Sequence, residues 1–213
     1  LGHSLGGMIA FAYCIEEDQT RVRSIIAIGS PSFAHLGNGL FDKVVGLKPL
    51  LSRISKLPYQ GSGLLIIPLM PLVKETFLRL LANPRNMRTR DLMRVVALAP
   101  SNLPTTLIGQ LAQWYEEGGF SAALDNTDYC DLLPKVTVPT MVVAGAADRL
   151  TPVHEMKSVF DRLGGEQNTF LLLGRNTGCR HDYGHIDPVF GRHAEREVWP
   201  HFDSFLRTQM TRP

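Results

Sequence analysis

The stretch that decides the fold stands at the start of the chain: "LGHSLGGMIAF", residues 1–11. Gly2 and Gly6 lie two residues before and two residues after Ser4, and an apolar helical pattern begins directly behind them. A tight turn from a strand into a helix needs small residues at these positions, and it exposes the serine hydroxyl at the helix N-terminus. The stretch therefore predicts a nucleophile elbow, with Ser4 as the nucleophile and the Leu5 amide as an oxyanion donor.

A glycine-flanked serine in an ordinary turn is the alternative, because G-x-S-x-G is short enough to arise by chance. The two interpretations can be distinguished, because only a nucleophile elbow requires an acid and a histidine to follow in the right order. Asp148, in "VVAGAADRLTP", comes just after a buried strand, at the end of the strand where the functional residues of doubly wound sheets gather. A helix-capping or turn aspartate is the structural alternative, but Thr151 is better placed to cap a helix that has Pro152 at its first position.

Two histidines, His181 and His185, lie in "RHDYGHIDPVFG" after the last strand. We favour His185 as the base, because it follows Gly184 and directly precedes the segment that leads into the final helix. His181 is the rival. The order Ser4, Asp148, His185 is the order of a known triad arrangement, in which the histidine takes the serine proton and the aspartate orients the imidazole.

The wider pattern predicts an α/β fold built on a parallel sheet. Short apolar runs without alternation are typical of buried parallel strands. They occupy residues 22–30, 139–148 and 168–174, with helical patterns at 5–17 and 151–165 and one final helix at 193–209. From Pro31 to about Val136 there is no convincing strand, only helical patches at 75–83, 89–99 and 105–119. We therefore predict a core formed by residues 1–30 and 137–213, with a helical cap inserted at 31–136.

Composition excludes several classes of protein. The 213 residues carry a formal net charge of +2, and the basic cluster at 83–94 is interpreted as the solvated side of a helix, so no nucleic-acid partner is expected. The apolar run at 63–73 is too short to span a membrane. Cys14, Cys130 and Cys179 are widely spaced and form no CxxC pair, which predicts reduced thiols, no metal site and a cytoplasmic location. One disulfide in an exported protein is the alternative.

With these residues in place, the chain resembles the α/β-hydrolase superfamily. The stretches that carry the resemblance are "GHSLGGMIAF", "VPTMVVAGAADRLTP" and "YGHIDPVFG". The last of these, together with "AEREVWPHFDSFL", is similar to bacterial lipase-like and polyhydroxyalkanoate synthase/depolymerase-like members. The resemblance implies Ser4 as nucleophile, Asp148 as acid, His185 as base and no cofactor. Related polyester synthases use cysteine as nucleophile, so the serine favours hydrolysis.

Two departures from the family affect what we expect. Members carry about a hundred residues before the elbow, including the second oxyanion donor, and even the strand entering the elbow is missing from this sequence. We therefore predict an N-terminally truncated fragment that is neither stable nor active alone. The lead-in to the histidine, "LGRNTGCRHDYGH", is also longer and more polar than in most members, which leaves the choice between His181 and His185 open.

The expected substrate is a small-molecule or lipid-like carboxylic ester with a hydrophobic acyl group. The cap is rich in apolar side chains, at Phe77, Leu80, Met93, Val96, Leu107 and Trp114. Most of them are expected to pack in the core. His3 and Trp114 are the candidate substrate-binding residues, and no arginine is obviously placed to pair with a carboxylate.

Other functions remain open on the same residues. The triad also serves acyltransferases, and it serves aminopeptidases, for which Glu116 or Glu117 could bind the free amine. A hydrolase-like fold kept for binding is the non-enzymatic alternative. Dehalogenases and epoxide hydrolases are excluded because they carry aspartate where this chain has Ser4. The oligomeric state is left open.

Overall fold

A four-stranded parallel sheet forms the centre of the molecule. The computed structural model describes residues 1–33, 56–57, 79, 81–98, 103–125 and 127–211. The strands of the sheet are β1 (Gly2–His3), β2 (Ile25–Ile28), β5 (Thr140–Gly145) and β6 (Thr169–Leu173), in the order β1-β2-β5-β6. Every neighbouring pair is parallel. The predicted α/β class and all three predicted strand runs are confirmed.

Burial explains why the central strands read as unbroken apolar runs. All residues of β2 and β5 are buried, so both faces of the sheet are covered. Successive side chains point to opposite faces: Val142 joins one core cluster with Phe11, and Val143 joins a second with Phe202. The pairing aligns Ile26 with Met141, which fixes the carboxyl ends of β2 and β5 side by side.

Helices flank the sheet and connect its strands. The described α-helices are α1 (Leu5–Glu16), α2 (Thr89–Leu98), α3 (Thr105–Glu117), α4 (Tyr129–Leu132), α5 (Val153–Arg162), α6 (Asp187–Phe190), α7 (Ala194–Glu197) and α8 (Trp199–Met210). Short 3-10 helices occupy Gln19–Arg21, Leu133–Lys135 and Arg175–Thr177. Within the described ranges, no helix has the length and apolar character needed to cross a bilayer.

The single final helix predicted at 193–209 is wrong. Two helices, α7 and α8, stand there, and they meet at Val198. Pro200 lies in the first turn of α8. Proline has no N–H to donate, and its ring clashes with the carbonyl four residues earlier, so a helix cannot continue through it without a kink or break. The amphipathic pattern was visible, but the proline divides it.

Two expectations about strands also need correction. A short antiparallel pair, β3 (Lys56–Leu57) with β4 (Leu103–Pro104), lies in the region predicted to have no strand. The strand entering the elbow was expected to be missing, yet Gly2 and His3 pair with Ala27 and Ile28 of β2. Pairs of this length carry no apolar pattern, which is why the sequence does not reveal them.

The last part of the predicted cap packs into the core. Trp114, Phe120, Cys130 and Leu133 belong to the same buried cluster as Met8 of α1. Helices α2 and α3 confirm two of the predicted helical patches. The apolar run at 63–73 lies outside the described residues, as do residues 75–78 and 80 of the patch at 75–83, among them Phe77 and Leu80. The boundaries of the cap at 31 and 136 stay a prediction.

Candidate active site

Ser4 occupies a strained turn between β1 and α1. Its backbone has φ 54° and ψ −122°, and it stands at the N-cap position of α1. A positive φ is uncommon for a residue with a side chain, and such strain clusters at functional sites. The Ser4 amide donates to the carbonyl of Ile28 at 2.8 Å, which ties the turn to the carboxyl end of β2.

Two glycines make this turn possible, of which Gly2 was predicted and Gly7 was not. A Cβ at Gly2 would lie 2.5 Å from the backbone of Gly6, and a Cβ at Gly7 would lie 2.1 Å from Oγ of Ser30. Gly6 was expected to avoid a collision, yet among the described residues no atom comes within 4 Å of a Cβ built there. The second crowded position is therefore Gly7, where α1 packs against the end of β2.

The Leu5 amide has the position expected of an oxyanion donor. Leu5 is the first residue of α1. The first four N–H groups of a helix have no carbonyl partner within it, and the helix dipole adds positive potential at that end. The arrangement can bind a developing negative charge beside Ser4, and the role of Leu5 stays a prediction.

Asp148 and His185 form a buried pair beyond the end of β5. Nδ1 of His185 lies 2.9 Å from Oδ2 of Asp148, and their side chains are only 6% and 1% exposed. The hydroxyl of Thr151 donates to the same Oδ2 at 2.6 Å, while the amides of Leu150 and Thr151 donate to Oδ1. The predicted N-cap role of Thr151 is wrong, because α5 is preceded by Pro152 and the Thr151 hydroxyl serves the aspartate.

The electrostatics of the pair fix the proton on the imidazole. Burial raises the pKa of Asp148, but the hydrogen bond and charge of His185 and the bonds from Thr151 outweigh it, so the pKa lies below its ordinary value. An ionised carboxylate only accepts, so Nδ1 of His185 carries the proton. In the neutral ring Nε2 is then left as a base.

The alternative histidine lies elsewhere. The ring of His181 is half-buried and lies 6.1 Å from the ring of His193. Its pKa is lowered by burial and by the charges of Arg180, Arg192 and Arg85. Of the two candidates, the structure brings His185 to Asp148.

Gly29 joins the serine turn to the histidine. It has φ +55°, and a Cβ there would lie 3.0 Å from Nδ1 of His185. Gly29 follows Ile28, whose carbonyl accepts from the Ser4 amide. The ends of β1, β2 and β5 thus place Ser4, His185 and Asp148 at the same edge of the sheet. The catalytic roles of these three residues stay a prediction.

His3 contacts the histidine loop. Its Nε2 lies 2.9 Å from the carbonyl oxygen of His185, and the two ring centroids are 4.8 Å apart. A carbonyl only accepts, so Nε2 of His3 donates and carries a proton. Burial, assisted by the His185 ring, lowers the pKa of His3. The predicted substrate-binding role of His3 stays a prediction. The contact with His185 was missed, because nothing in the sequence pairs residues 182 positions apart.

Trp114 makes the contacts of a core residue. It is 7% exposed, its ring packs against Phe33 and Phe120, and its Nε1 donates to the carbonyl of Ser121. Trp114 also borders an apolar cavity of about 490 Å³ that Leu5 lines as well. Its predicted part in substrate binding therefore stays open.

A second cavity, of about 340 Å³, is cationic. Arg79, Arg85 and Arg149 line it together with Asn83 and Ala147. Arg149 directly follows Asp148, so the cavity adjoins the loop that holds the acid. The three arginines come from segments about 60 residues apart in sequence, so their proximity could not be read from it. The expectation that no arginine pairs with a substrate carboxylate stays a prediction.

Comparisons with known proteins agree with this geometry at the level of the fold. No protein-family model and no curated protein sequence matches the chain. Solved structures do. They include an esterase of Thermogutta terrifontis (TM-score 0.59, 20% identity), a monoacylglycerol lipase of Paleococcus ferrophilus (0.56, 16%) and an esterase of Exiguobacterium antarcticum (0.56, 18%).

These matches cover nearly all of this chain but only part of each neighbour. They take in 99%, 97% and 99% of this chain, and 64%, 66% and 65% of the three solved chains. The chain thus spans slightly less than two thirds of the length of these neighbours. At such identities the likeness concerns architecture, and the parallel sheet with flanking helices is the shared feature. The chain has the α/β-hydrolase fold.

Proposed function

We propose that the chain carries the catalytic residues of a serine hydrolase that cleaves carboxylic esters through an acyl-enzyme. The observation that carries the proposal is the meeting, at one sheet edge, of a strained Ser4 and a buried His185–Asp148 pair with Nδ1 and Oδ2 2.9 Å apart. A protonated Nδ1 leaves Nε2 of His185 as the base that the reaction needs.

The reaction follows from these groups. Nε2 of His185 takes the proton of Ser4 as Oγ attacks the acyl carbon, and the Leu5 amide stabilises the oxyanion that forms. The imidazolium, stabilised by the Asp148 carboxylate, then gives its proton to the leaving alcohol. Water attacks the acyl-enzyme with His185 again as base, which releases the acid and restores Ser4.

The substrate class is proposed as a small-molecule or lipid-like ester. The apolar cavity bordered by Leu5, Met8 and Trp114 begins at the residue that follows the nucleophile, which supports a hydrophobic acyl group. For the aminopeptidase alternative, Glu116 and Glu117 lie exposed at the C-terminal end of α3, where Glu117 accepts a hydrogen bond from Gln113. This position favours ester over aminoacyl substrates.

The test uses the full-length protein with p-nitrophenyl esters of increasing acyl length, beside an aminoacyl anilide. Ser4→Ala should lower kcat by about 10³-fold or more and abolish labelling by a fluorophosphonate. Ser204→Ala, an exposed serine of α8, is the matched control. An esterase should prefer the esters. Preference for the anilide would support the aminopeptidase, and full ester hydrolysis by Ser4→Ala would exclude Ser4 as the nucleophile. If Ser4→Ala kept all biological activity of the protein, that result would support a non-catalytic role.

The choice of base is tested in the same assay. His185→Ala should reduce kcat and the fluorophosphonate labelling rate as strongly as Ser4→Ala does, because the pair acts as a unit. His181→Ala should leave both near the wild-type values. The reverse result would assign the base to His181.

A further inference from the structure

Asp187 is a buried carboxylate that the proposed reaction does not use. Its side chain is fully buried, two residues after His185. Oδ1 accepts from the Gly184 amide at 2.8 Å and from the Asn83 amide at 3.2 Å, and Oδ2 accepts from Nδ2 of Asn86 at 2.7 Å. Removing a carboxylate from water is costly, so a carboxylate held this way reflects a specific arrangement of donors.

The donors belong to two segments that are distant in sequence. Gly184 stands in the histidine loop, residues 182–187, and Asn83 and Asn86 stand in residues 81–86, which we call the clasp segment. Asp187 thus connects its own loop to a segment about a hundred residues earlier.

Further contacts close the same junction. The Ile186 amide donates to the carbonyl of Leu81 at 2.9 Å, and Nδ2 of Asn83 donates to the carbonyl of Asp182 at 2.7 Å. The histidine loop and the clasp segment pack closely, since a Cβ at Gly184 would lie 2.7 Å from Cα of Ala82. The main chain on both sides of His185 is therefore bound to the clasp segment.

We propose that Asp187 is a positioning residue for His185, which fixes the histidine loop against the clasp segment so that Nδ1 stays within reach of Asp148. The inference rests on the proposed function, because it gives the imidazole a catalytic task. Asp187 holds the amide just before His185, and His3 holds the His185 carbonyl from the other side. With both anchors in place the ring has little freedom to leave Asp148.

The charge state of Asp187 matters for this task. All three donors favour the ionised carboxylate, whereas complete burial favours the protonated form and outweighs them. Among the described residues Oδ1 of Asn86 is buried and has no partner. The side-chain amide of Asn86 thus donates twice at this junction, because Nδ2 donates to Asp187 and also to the Asp182 carbonyl at 3.0 Å.

The experiment compares Asp187→Asn, Asp187→Ala and Asn86→Ala with Asp203→Asn, an exposed aspartate of α8, in the full-length protein. Asp187→Asn keeps an acceptor for the two amides but sets a donor against Asn86. We expect kcat for a p-nitrophenyl ester to fall by about 10- to 100-fold, with KM within about twofold, because small misplacements of reacting groups are costly. The decrease in kcat should be larger for Asp187→Ala and smaller for Asn86→Ala. Fluorophosphonate labelling of Ser4 should slow in parallel, at temperatures where each variant is folded.

Hydrogen exchange separates this inference from the proposed function. Amides of residues 183–186 should exchange faster in Asp187→Ala than in Asp203→Asn, whether or not the protein hydrolyses esters. Faster exchange in a protein without Ser4-dependent hydrolysis would reject the function and the catalytic task of Asp187 but keep the junction. Unchanged kcat in folded Asp187→Asn, or a loss explained entirely by unfolding, would overturn the positioning role.

Discussion

Nδ1 of His185 and Oδ2 of Asp148 lie 2.9 Å apart although 37 positions separate them in sequence. Three further donors hold the carboxylate in place: the Leu150 amide and both the amide and hydroxyl of Thr151. The aspartate is thus oriented by its own turn before it orients the imidazole. The turn role and the catalytic role, which sequence reasoning treats as alternatives, are compatible in one residue.

Replacing Asp148 with asparagine should reverse the tautomer of His185. The Asn Nδ2 would face Nδ1, so Nδ1 would become the acceptor and Nε2 would carry the proton. We expect kcat to fall by about 10⁴-fold with little change in KM, since the base is then blocked. The measurement is steady-state hydrolysis of a p-nitrophenyl ester, with Asp161→Asn on the surface of α5 as control. A loss below tenfold would contradict the assignment.

Removing the His3 side chain should misplace the base. His3→Ala deletes the hydrogen bond to the His185 carbonyl, and we expect kcat to fall by about tenfold, the worth of one buried bond. His3→Gln, whose amide can donate in the same direction, should recover most of the activity. His201→Ala, exposed on α8, is the control. If His3→Ala raised KM alone, His3 would instead be the substrate-binding residue that the sequence predicted.

A methyl group at Gly29 should damage both fold and site. Gly29→Ala places a Cβ 3.0 Å from Nδ1 of His185 and puts alanine at φ +55°. The left-handed backbone conformation alone should destabilise the alanine variant by about 1–2 kcal/mol. We expect a lower free energy of unfolding in urea together with weaker catalysis. Gly109→Ala in α3, where a Cβ meets no described atom within 4 Å, should stabilise by up to about 1 kcal/mol and leave kcat unchanged.

Arg85 should matter only for anionic substrates. The cationic cavity of Arg79, Arg85 and Arg149 adjoins the acid loop. For an ester that carries a free carboxylate, Arg85→Ala should raise KM by about tenfold, the worth of a charge-assisted hydrogen bond. KM for a neutral ester of the same size should not change, and Arg207→Ala on α8 should affect neither. Equal effects on both esters would exclude a role in binding the anion.

Stability should depend on pH through Asp187. Burial, opposed by the bonds from Asn86, Asn83 and Gly184, raises its pKa from 3.8 to about 6. The folded state binds this proton more tightly, so the favourable contribution is complete below about pH 4 and is lost as pH rises through about 6. The loss corresponds to about 3 kcal/mol.

Urea denaturation across this range checks the sign. The free energy of unfolding of wild type, relative to Asp187→Asn, should decrease by about 2 kcal/mol from about pH 4 to about pH 7. The corresponding difference for Asp203→Asn should stay nearly constant, because its ion pair with Arg207 is exposed. An increase with pH would mean that the ionised Asp187 stabilises the fold.

The fold could be predicted largely because local patterns determine it. The buried runs that became β2, β5 and β6 and the helix behind Ser4 are each contiguous in sequence. The break at Pro200 is also marked in the sequence by the proline, although the amphipathic period continues past it. The two-residue strands left no pattern to detect.

The site could be predicted only in its parts. Ser4, Asp148 and His185 each stand in a recognisable local context, so the sequence could order them but could not measure their separation. The crowding at Gly7 was missed because it comes from Ser30, which follows β2. Asp187 and Asn86 were missed for the same reason: a buried carboxylate is recognised by its donors, and those lie about a hundred positions away.

The burial of Phe120 and Leu133 beside Met8 constrains how a chimaeric protein could be made from this chain. Exchanging residues 31–136 for the corresponding segment of another protein with this fold would leave a cavity in the core that the exchange was meant to keep. If the exchanged segment ends before Thr105, the contacts of Phe120 and Leu133 with the core are kept. The inserted segment must then supply a donor in place of Asn86, because otherwise Asp187 in the histidine loop loses that hydrogen bond.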